Sequence, residues 1–196
     1  MELIVKIQGG LNGMNNIHIL SKDDFKKYKK KLKDAYHPVQ IGSIGEYVTI
    51  LKFAKRDISV AKMKVDIYDI DLLAYFGRRW NTIQVKTSTN GTDNTIVFPL
   101  TKNGWNLNNH TISSIKKEYS TNTVDYFVLY DALHDELFMV KNDGTHKSIT
   151  IRYNRQIHGN KYNAKYAEDY QIDNVLDNIE YGYDSDQIVM IKGIDY

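Results

Sequence analysis

The residues of this chain best suited to chemistry lie between Asp69 and Thr87, in DIDLLAYFGRRWNTIQVKT. Two short apolar runs flank a polar turn. Asp69 and Asp71 open the first run, and Gln84 and Lys86 close the second as a Gln-x-Lys. Side chains alternate faces along a strand, so Gln84 and Lys86 share a face, and Asp69 and Asp71 share one on the preceding strand. If the runs pair as a hairpin, a carboxylate, an amide oxygen and an ammonium converge at one end of a sheet. Such a set could hold a divalent cation and a phosphate. Plainer accounts are open as well. Gln84 and Lys86 could be the solvent face of a half-exposed strand, and the two acids could be turn or edge residues. Glu46, three after Ser43, could simply complete a capping box.

The elements that must position these residues follow from periodicity. Residues 2–7 and 17–20 read as short strands around a Gly- and Asn-rich turn. Ser21 caps a helix with Asp24 at the capping-box position; Phe25, Tyr28, Leu32 and Tyr36 share one side and lysines fill the others. The lysines read either as a solvated face or as a track for phosphates. Beyond Pro38, residues 41–46 lead into a second helix with a stripe of Ile44, Tyr47, Val48 and Leu51, ending near Lys55. A strand over 58–65 and the two runs above make a meander. Residues 95–101 are extended, with Pro99 marking an edge or strand end. Residues 102–109 read as loop and 111–119 as a helix with Ile112 and Ile115 inward. Residues 124–131, VDYFVLYD, carry the strongest buried-strand signal, and 137–140 return as its hairpin partner. A strand over 148–153, an irregular polar stretch over 154–171 and a last helix over 173–181 complete the chain. The pattern is an α/β domain with a mixed sheet.

Composition narrows the chemistry. The 196 residues are 42% apolar and 26% charged, ordinary for one globular domain. There is no cysteine, which excludes disulfides, thiolate metal sites and a thiol nucleophile. The six histidines are scattered without metal-ligand spacing, and no nucleophile elbow or phosphate-cradling glycine loop is present. The N-terminus lacks a signal peptide's pattern and no apolar run approaches a membrane span, so a cytoplasmic protein is expected. A net charge of +2 permits a nucleic-acid partner without demanding one. Arg78 and Arg79 in the hairpin turn, and Lys102, Arg152, Asn154, Arg155 and Lys161 downstream, are candidate DNA contacts, since Arg and Asn read base edges. Each also fits a plain surface position.

Taken in order, a helix glutamate, an acid before two apolar residues and a Gln-x-Lys on the next strand resemble the PD-(D/E)XK nuclease superfamily. The resemblance is strongest to its branch of group I intron homing endonucleases with Gln-x-Lys. It extends to VDYFVLYDALHDELFMVK, similar to that branch's following hairpin, and to SITIRYNRQIHGNKYNAKYAEDYQI, similar to its Arg-containing strand and Ala-Glu-Asp-Tyr run. Residues 38–172 are covered as a nuclease core. Residues 1–37 form an N-terminal arm and 173–196 a C-terminal extension, all within one compact domain. No proline precedes the acid here. Asp71 rather than Asp69 fits the pattern because Leu72-Leu73 follows it.

The resemblance implies a restriction-endonuclease-like core: a central mixed β-sheet flanked by helices. It implies a catalytic set of Glu46, Asp71, Gln84 and Lys86, with Asp71, Gln84 and Glu46 around Mg²⁺, or Mn²⁺ in its place. The oxygen donors suit a hard cation. Lys86 would orient the attacking water and stabilise the transition state. The implied activity is hydrolysis of phosphodiester bonds in double-stranded DNA, site-specific in a homing- or restriction-like way. A junction resolvase, or a DNA-binding protein with weak catalysis on the same scaffold, is the alternative. Cutting both strands implies a homo-oligomer, a dimer or tetramer, with no membrane partner.

Overall fold

The computed structural model of the chain describes residues 3–6, 17–20, 22–64, 69–108, 111–154 and 165–180. Strands β1 (Leu3–Lys6) and β2 (Ile17–Leu20) pair antiparallel and lead into helix α1 (Lys22–Ala35). Ser21, the expected cap, lies outside the described residues. Phe25 is the α1 side chain that enters the core and Leu32 packs beside it, whereas Tyr28 and Tyr36 remain exposed. The expected four-residue inner side is therefore shorter than its spacing implied.

Helix α2 (Pro38–Ala54) begins earlier than residues 41–46 indicate. Proline at the first turn has no N–H to lose there. His37 caps the helix: its Nδ1 accepts from Val39 N (3.3 Å), and Gln40 Oε1 accepts from His37 N (2.8 Å). Ser43 and Glu46 are thus interior residues, not a capping box. The expected apolar stripe is also reversed. Tyr47 is 62% exposed and Leu51 55%, with Ile44 beside them, while Gly45, Thr49 and Phe53 are buried. Small residues at 45 and 49 let the helix backbone approach the sheet closely, and that counts for more than side-chain size. A Cβ on Gly45 would stand 2.0 Å from Thr87 Oγ1.

Strands β3 (Val60–Lys62), β4 (Leu72–Phe76) and β5 (Arg79–Ser88) form the expected meander. The β4–β5 turn holds Gly77 and Arg78 both at positive φ, the backbone of a tight hairpin turn. Next come β6 (Thr95–Pro99), β7 (Thr101–Asn108) and β8 (Thr111–Glu118), then β9 (Tyr126–Asp131) and its hairpin partner β10 (Glu136–Lys141). The chain continues through β11 (Ser148–Arg152), β12 (Lys165–Tyr166), α3 (Ala167–Tyr170) and α4 (Ile172–Glu180). The central sheet has the order β10-β9-β5-β4-β3, with β5 and β9 parallel and its other pairs antiparallel. It is therefore a mixed sheet. A second sheet, β12-β11-β6, has β6 at its edge, which accommodates Pro99.

Two readings are overturned. Residues 102–108 are not loop and 111–119 are not helix; β7 and β8 are an antiparallel pair, and Asn109 lies outside the described residues. Thr111, Ile112 and Ile115 are β-branched and favour a pleated surface, and Ser113 and Ser114 add little helix propensity. The three-residue spacing of Ile112 and Ile115 mimics a helix, but on a strand it places them on opposite faces. Residues 165–170 are likewise ordered as β12 and α3 rather than irregular.

The core has two halves, one on each face of the central sheet. Ile83 and Val85 of β5, with Tyr126 and Val128 of β9, pack against Phe53 of α2 and Val175 and Leu176 of α4. Phe127 and Leu129 face the other way, toward Phe98, Ile149, Ile151 and Phe25 of α1. Every β9 residue is buried because both faces of that strand are covered, which explains its unbroken apolar run. The alternation of β5 then turns Gln84 and Lys86 away from the half that holds Ile83 and Val85.

Candidate active site

Asp71 stands just before β4, where its N–H donates to Ile83 O (2.9 Å) and its carbonyl accepts from Met63 N (3.0 Å). These bonds to both neighbouring strands fix its backbone. Its Oδ2 accepts from Val85 N (2.8 Å) and from Gln84 Nε2 (2.6 Å). Gln84 is 8% exposed, so a solvent-facing role for it is ruled out. Having given its N–H to the carboxylate, Gln84 keeps Oε1 as its acceptor atom. Burial pushes the Asp71 carboxyl up to about 6 and the Glu46 charge adds to this, while the Val85 N–H, Lys86 and Gln84 pull it back.

Lys86 lies one step further along the same strand face. Its Nζ donates to the Tyr119 hydroxyl (2.5 Å) and sits 4.5 Å from the centre of that ring. Burial lowers the Lys86 ammonium, opposed by the charges of Asp71 and Asp69. Tyr119 is buried and its phenol is raised by burial and by the same two acids, so it stays protonated. Asp69 forms an ion pair with Lys102, whose Nζ also stands 5.6 Å from the Tyr119 ring. Glu46, one residue after the tightly packed Gly45, meets Lys62 Nζ at 2.8 Å, and that contact raises Lys62.

The structure therefore gathers Glu46, Asp71, Gln84 and Lys86 around the junction of α2, β4 and β5, together with Asp69, Lys62, Lys102 and Tyr119. Tyr119 and Lys62 carried no signal in the sequence; each arrives through tertiary packing alone. Of the other candidates, Arg78 is exposed in the hairpin turn. Arg79 pairs with Asp125 (3.3 Å), and Asn154 Nδ2 donates to Asn94 Oδ1 (2.5 Å). Arg152 ends β11 and is half-buried. Arg155 and Lys161 lie outside the described residues.

The donor set fits a hard divalent cation. It offers oxygen only: the Asp71 carboxylate, the Glu46 carboxylate and the Gln84 amide. Among the described residues, no group of three or more His, Cys, Asp or Glu is gathered for a metal, so they offer this site at most two charged ligands. A carboxyl held up by burial beside a second negative charge is what a bound cation would relieve.

A family model described as PD-(D/E)XK endonuclease matches residues 36–173. The chain belongs to the PD-(D/E)XK endonuclease family. The match spans α2 to the start of α4, and so contains all four of Glu46, Asp71, Gln84 and Lys86. Among solved structures, the chain is similar to the bacterial homing endonuclease I-Ssp6803I, at 18% identity and a TM-score of 0.57, covering 75% of this chain and 96% of that one. That likeness concerns the fold, a restriction-endonuclease-like mixed sheet flanked by helices. No curated protein matches. As a PD-(D/E)XK endonuclease the protein is a nuclease, a hydrolase of nucleic-acid phosphodiesters. No helix among the described residues is long and apolar enough to cross a membrane.

Proposed function

We propose that the protein is a Mg²⁺-dependent endodeoxyribonuclease that cuts double-stranded DNA site-specifically, in a homing- or restriction-like manner. The observation that carries this reading is the arrangement of Asp71, Gln84 and Lys86 at one sheet end: the amide is bonded to the acid and the lysine lies two residues on. Asp71 and Gln84 Oε1, with Glu46, would hold the cation, and Mn²⁺ could replace Mg²⁺. When bound, the cation would supply charge neutralisation at the phosphate and a more acidic water. Lys86 would orient an attacking water and offset charge developing on the phosphate oxygens. The Tyr119 hydroxyl accepts one Lys86 proton and leaves the other two free to point at substrate.

With a neutral amide in place of a second strand acid, the site carries less negative charge and binds its cation more weakly than an all-carboxylate set would. A Mn²⁺ titration followed by paramagnetic relaxation tests this directly. Binding in the millimolar to sub-millimolar range that disappears in Asp71→Ala is expected, on the order of the weaker oxygen sites. Equal binding by Asp71→Ala would contradict the assignment. Cutting both strands calls for two such sites, so the working form is proposed to be a homo-oligomer. A linear duplex compared with a four-way junction separates this reading from a resolvase: faster cleavage of the junction would favour the latter.

A further inference from the structure

The lysines of α1 have no part in the site described above. Seven lysines and three aspartates give this helix a formal charge of +4. The whole chain carries +2, so the residues outside α1 sum to −2. The positive excess of a protein that must hold a polyanion therefore sits on one helix. That helix ends immediately before residue 36, where the endonuclease match begins.

Like charges three or four residues apart weaken a helix. In α1, Lys26 with Lys30, Lys27 with Lys31 and Lys29 with Lys33 all stand four apart. Lys26 and Lys27 meet Asp23 and Asp24 at 3.6 and 3.7 Å, but these pairs are exposed and add little. Lys30, Lys31 and Lys33 are exposed, and none of them is in an ion pair among the described residues. Packing, not charge, holds the helix. Phe25 enters the core and stacks on His134 (5.4 Å between ring centres), whose Nδ1 lies 2.6 Å from Asp131 Oδ2. Leu32 packs beside it, and Lys29 Nζ turns inward to donate to Gly91 O (2.8 Å).

These anchors set α1 against the strand that carries the active site. Gln84 and Lys86 leave β5 on one face. Their register partners on β9, Phe127 and Leu129, belong to the core half that receives Phe25. Gly91 lies three residues past the end of β5. The helix is thus on the same side of the sheet as Lys86, beside the turn that ends its strand. At roughly 100° per residue, Lys26, Lys30 and Lys33 fall within about 60° of the helix surface, with no acid in that arc. They span about 10 Å along the axis, which matches three phosphate steps on one DNA strand. A membrane-surface helix would need a free apolar face, whereas Phe25 and Leu32 are turned into the core.

We infer that α1 is a phosphate-tracking arm for duplex DNA. Lys26, Lys30 and Lys33 lie along one strand of the duplex held at Asp71 and Lys86, and they neutralise its phosphates without reading bases. This rests on the nuclease reading only for the choice of duplex DNA as partner.

The test uses the full-length protein in chelator with a mixed pool of duplexes of about 40 base pairs. Affinity is measured between about 50 and 200 mM salt. Lys26→Gln/Lys30→Gln/Lys33→Gln is expected to flatten the dependence of log affinity on log salt by about 2.7, near 0.9 for each phosphate no longer neutralised. Across that range the wild type then loses roughly 40-fold more affinity than the variant. Glutamine keeps helix propensity and removes repulsion, so the variant is expected to melt at or above the wild-type temperature. Lys26→Arg/Lys30→Arg/Lys33→Arg is expected to keep the wild-type slope. Lys30→Gln and Lys55→Gln separate place from charge. Lys55 is exposed at the end of α2, which packs on the other face of the sheet. Lys30→Gln is expected to flatten the slope by about 0.9 and Lys55→Gln to leave it unchanged. An unchanged slope in the triple glutamine variant, or equal changes in the two single variants, would overturn the inference. Phosphatidylserine vesicles that bind through these lysines while the duplex slope holds would assign the face to a membrane instead. The expected slopes without any cleavage in Mg²⁺ would sink the nuclease reading and leave the arm standing. Intact cleavage with an unchanged slope would sink the arm alone, and no duplex binding at low salt would sink both.

Discussion

Asp71 is held in place by bonds that any metal-free form must satisfy at some electrostatic cost. Its carboxyl has moved from an ordinary 3.8 up to about 6, chiefly through burial. The sign of the consequence is set by which state binds the proton more tightly. Between about pH 4 and pH 6 the folded protein holds a proton on Asp71 that the unfolded chain releases, so this group favours folding most below pH 4. Its contribution falls as pH rises through 6 and is then constant. In chelator, the stability difference between wild type and Asp71→Asn is expected to drop by roughly 3 kcal/mol across that window, at about 1.4 kcal/mol for each tenfold change in proton affinity. Denaturant melts at pH 4 and pH 7.5 measure it; a pH-independent difference would show that burial does not hold the Asp71 proton. Tyr119 is a second residue-scale case. Tyr119→Phe keeps the ring beneath Lys86 and removes only the oxygen that accepts its proton. A drop of about tenfold in cleavage rate is expected, in line with a lost hydrogen bond to a charged group, with substrate binding unchanged. A rate equal to wild type would show that the hydroxyl does not position Lys86.

At the scale of elements, the approach of α2 to β5 places Glu46. Gly45 packs against Thr87, which follows Lys86 on the same strand, and Thr49 Oγ1 donates to the Gly45 carbonyl (2.8 Å), so neither small residue has a spare side. Gly45→Ala introduces a carbon 2.0 Å from Thr87 Oγ1 and must push helix from strand. A destabilisation of about 1–3 kcal/mol is expected from overpacking, with lost cleavage beyond what stability explains because Glu46 moves with the helix. Leu51→Ala, on the exposed side, is expected to change monomer stability by less than about 0.5 kcal/mol. Comparable denaturant midpoints for the two variants would contradict this packing of α2. The same helix shows what the sequence displays and what it hides. The β4–β5 hairpin was legible because its partners are close in sequence and its turn residues are specific. So was β9, because a strand covered on both faces leaves a continuous apolar run. The facing of α2 was not legible, because large apolar residues outside and small ones inside invert the usual pattern. Strands β7 and β8 were missed because their sequence shows little regular alternation between apolar and polar positions.

Across the whole molecule, that inverted helix leaves Ile44, Tyr47 and Leu51 exposed, with the Tyr47 ring 4.4 Å from Lys62, the partner of Glu46. The proposed homo-oligomer would give these side chains a use, since two sites must face opposite strands of one duplex. Sedimentation is expected to give a mass that is a multiple of 22.8 kDa, and Tyr47→Glu/Leu51→Glu to lower it. A monomer with and without DNA would argue against paired sites. The four motif residues could be placed from the sequence because the order of glutamate, acid and Gln-x-Lys survives as a pattern along the chain. Tyr119, Lys62 and the Asp69–Lys102 pair could not, because they meet the site only after strands far apart in sequence have paired. The central claim is that this assembly hydrolyses DNA through Asp71 and Lys86. Wild type, Asp71→Ala and Lys86→Ala should be incubated side by side with a mixed pool of duplex DNA and Mg²⁺, and product ends counted over time. Wild-type cleavage that stops with chelator and falls at least about 100-fold in each variant is the expected result; cleavage by either variant at the wild-type rate would contradict it.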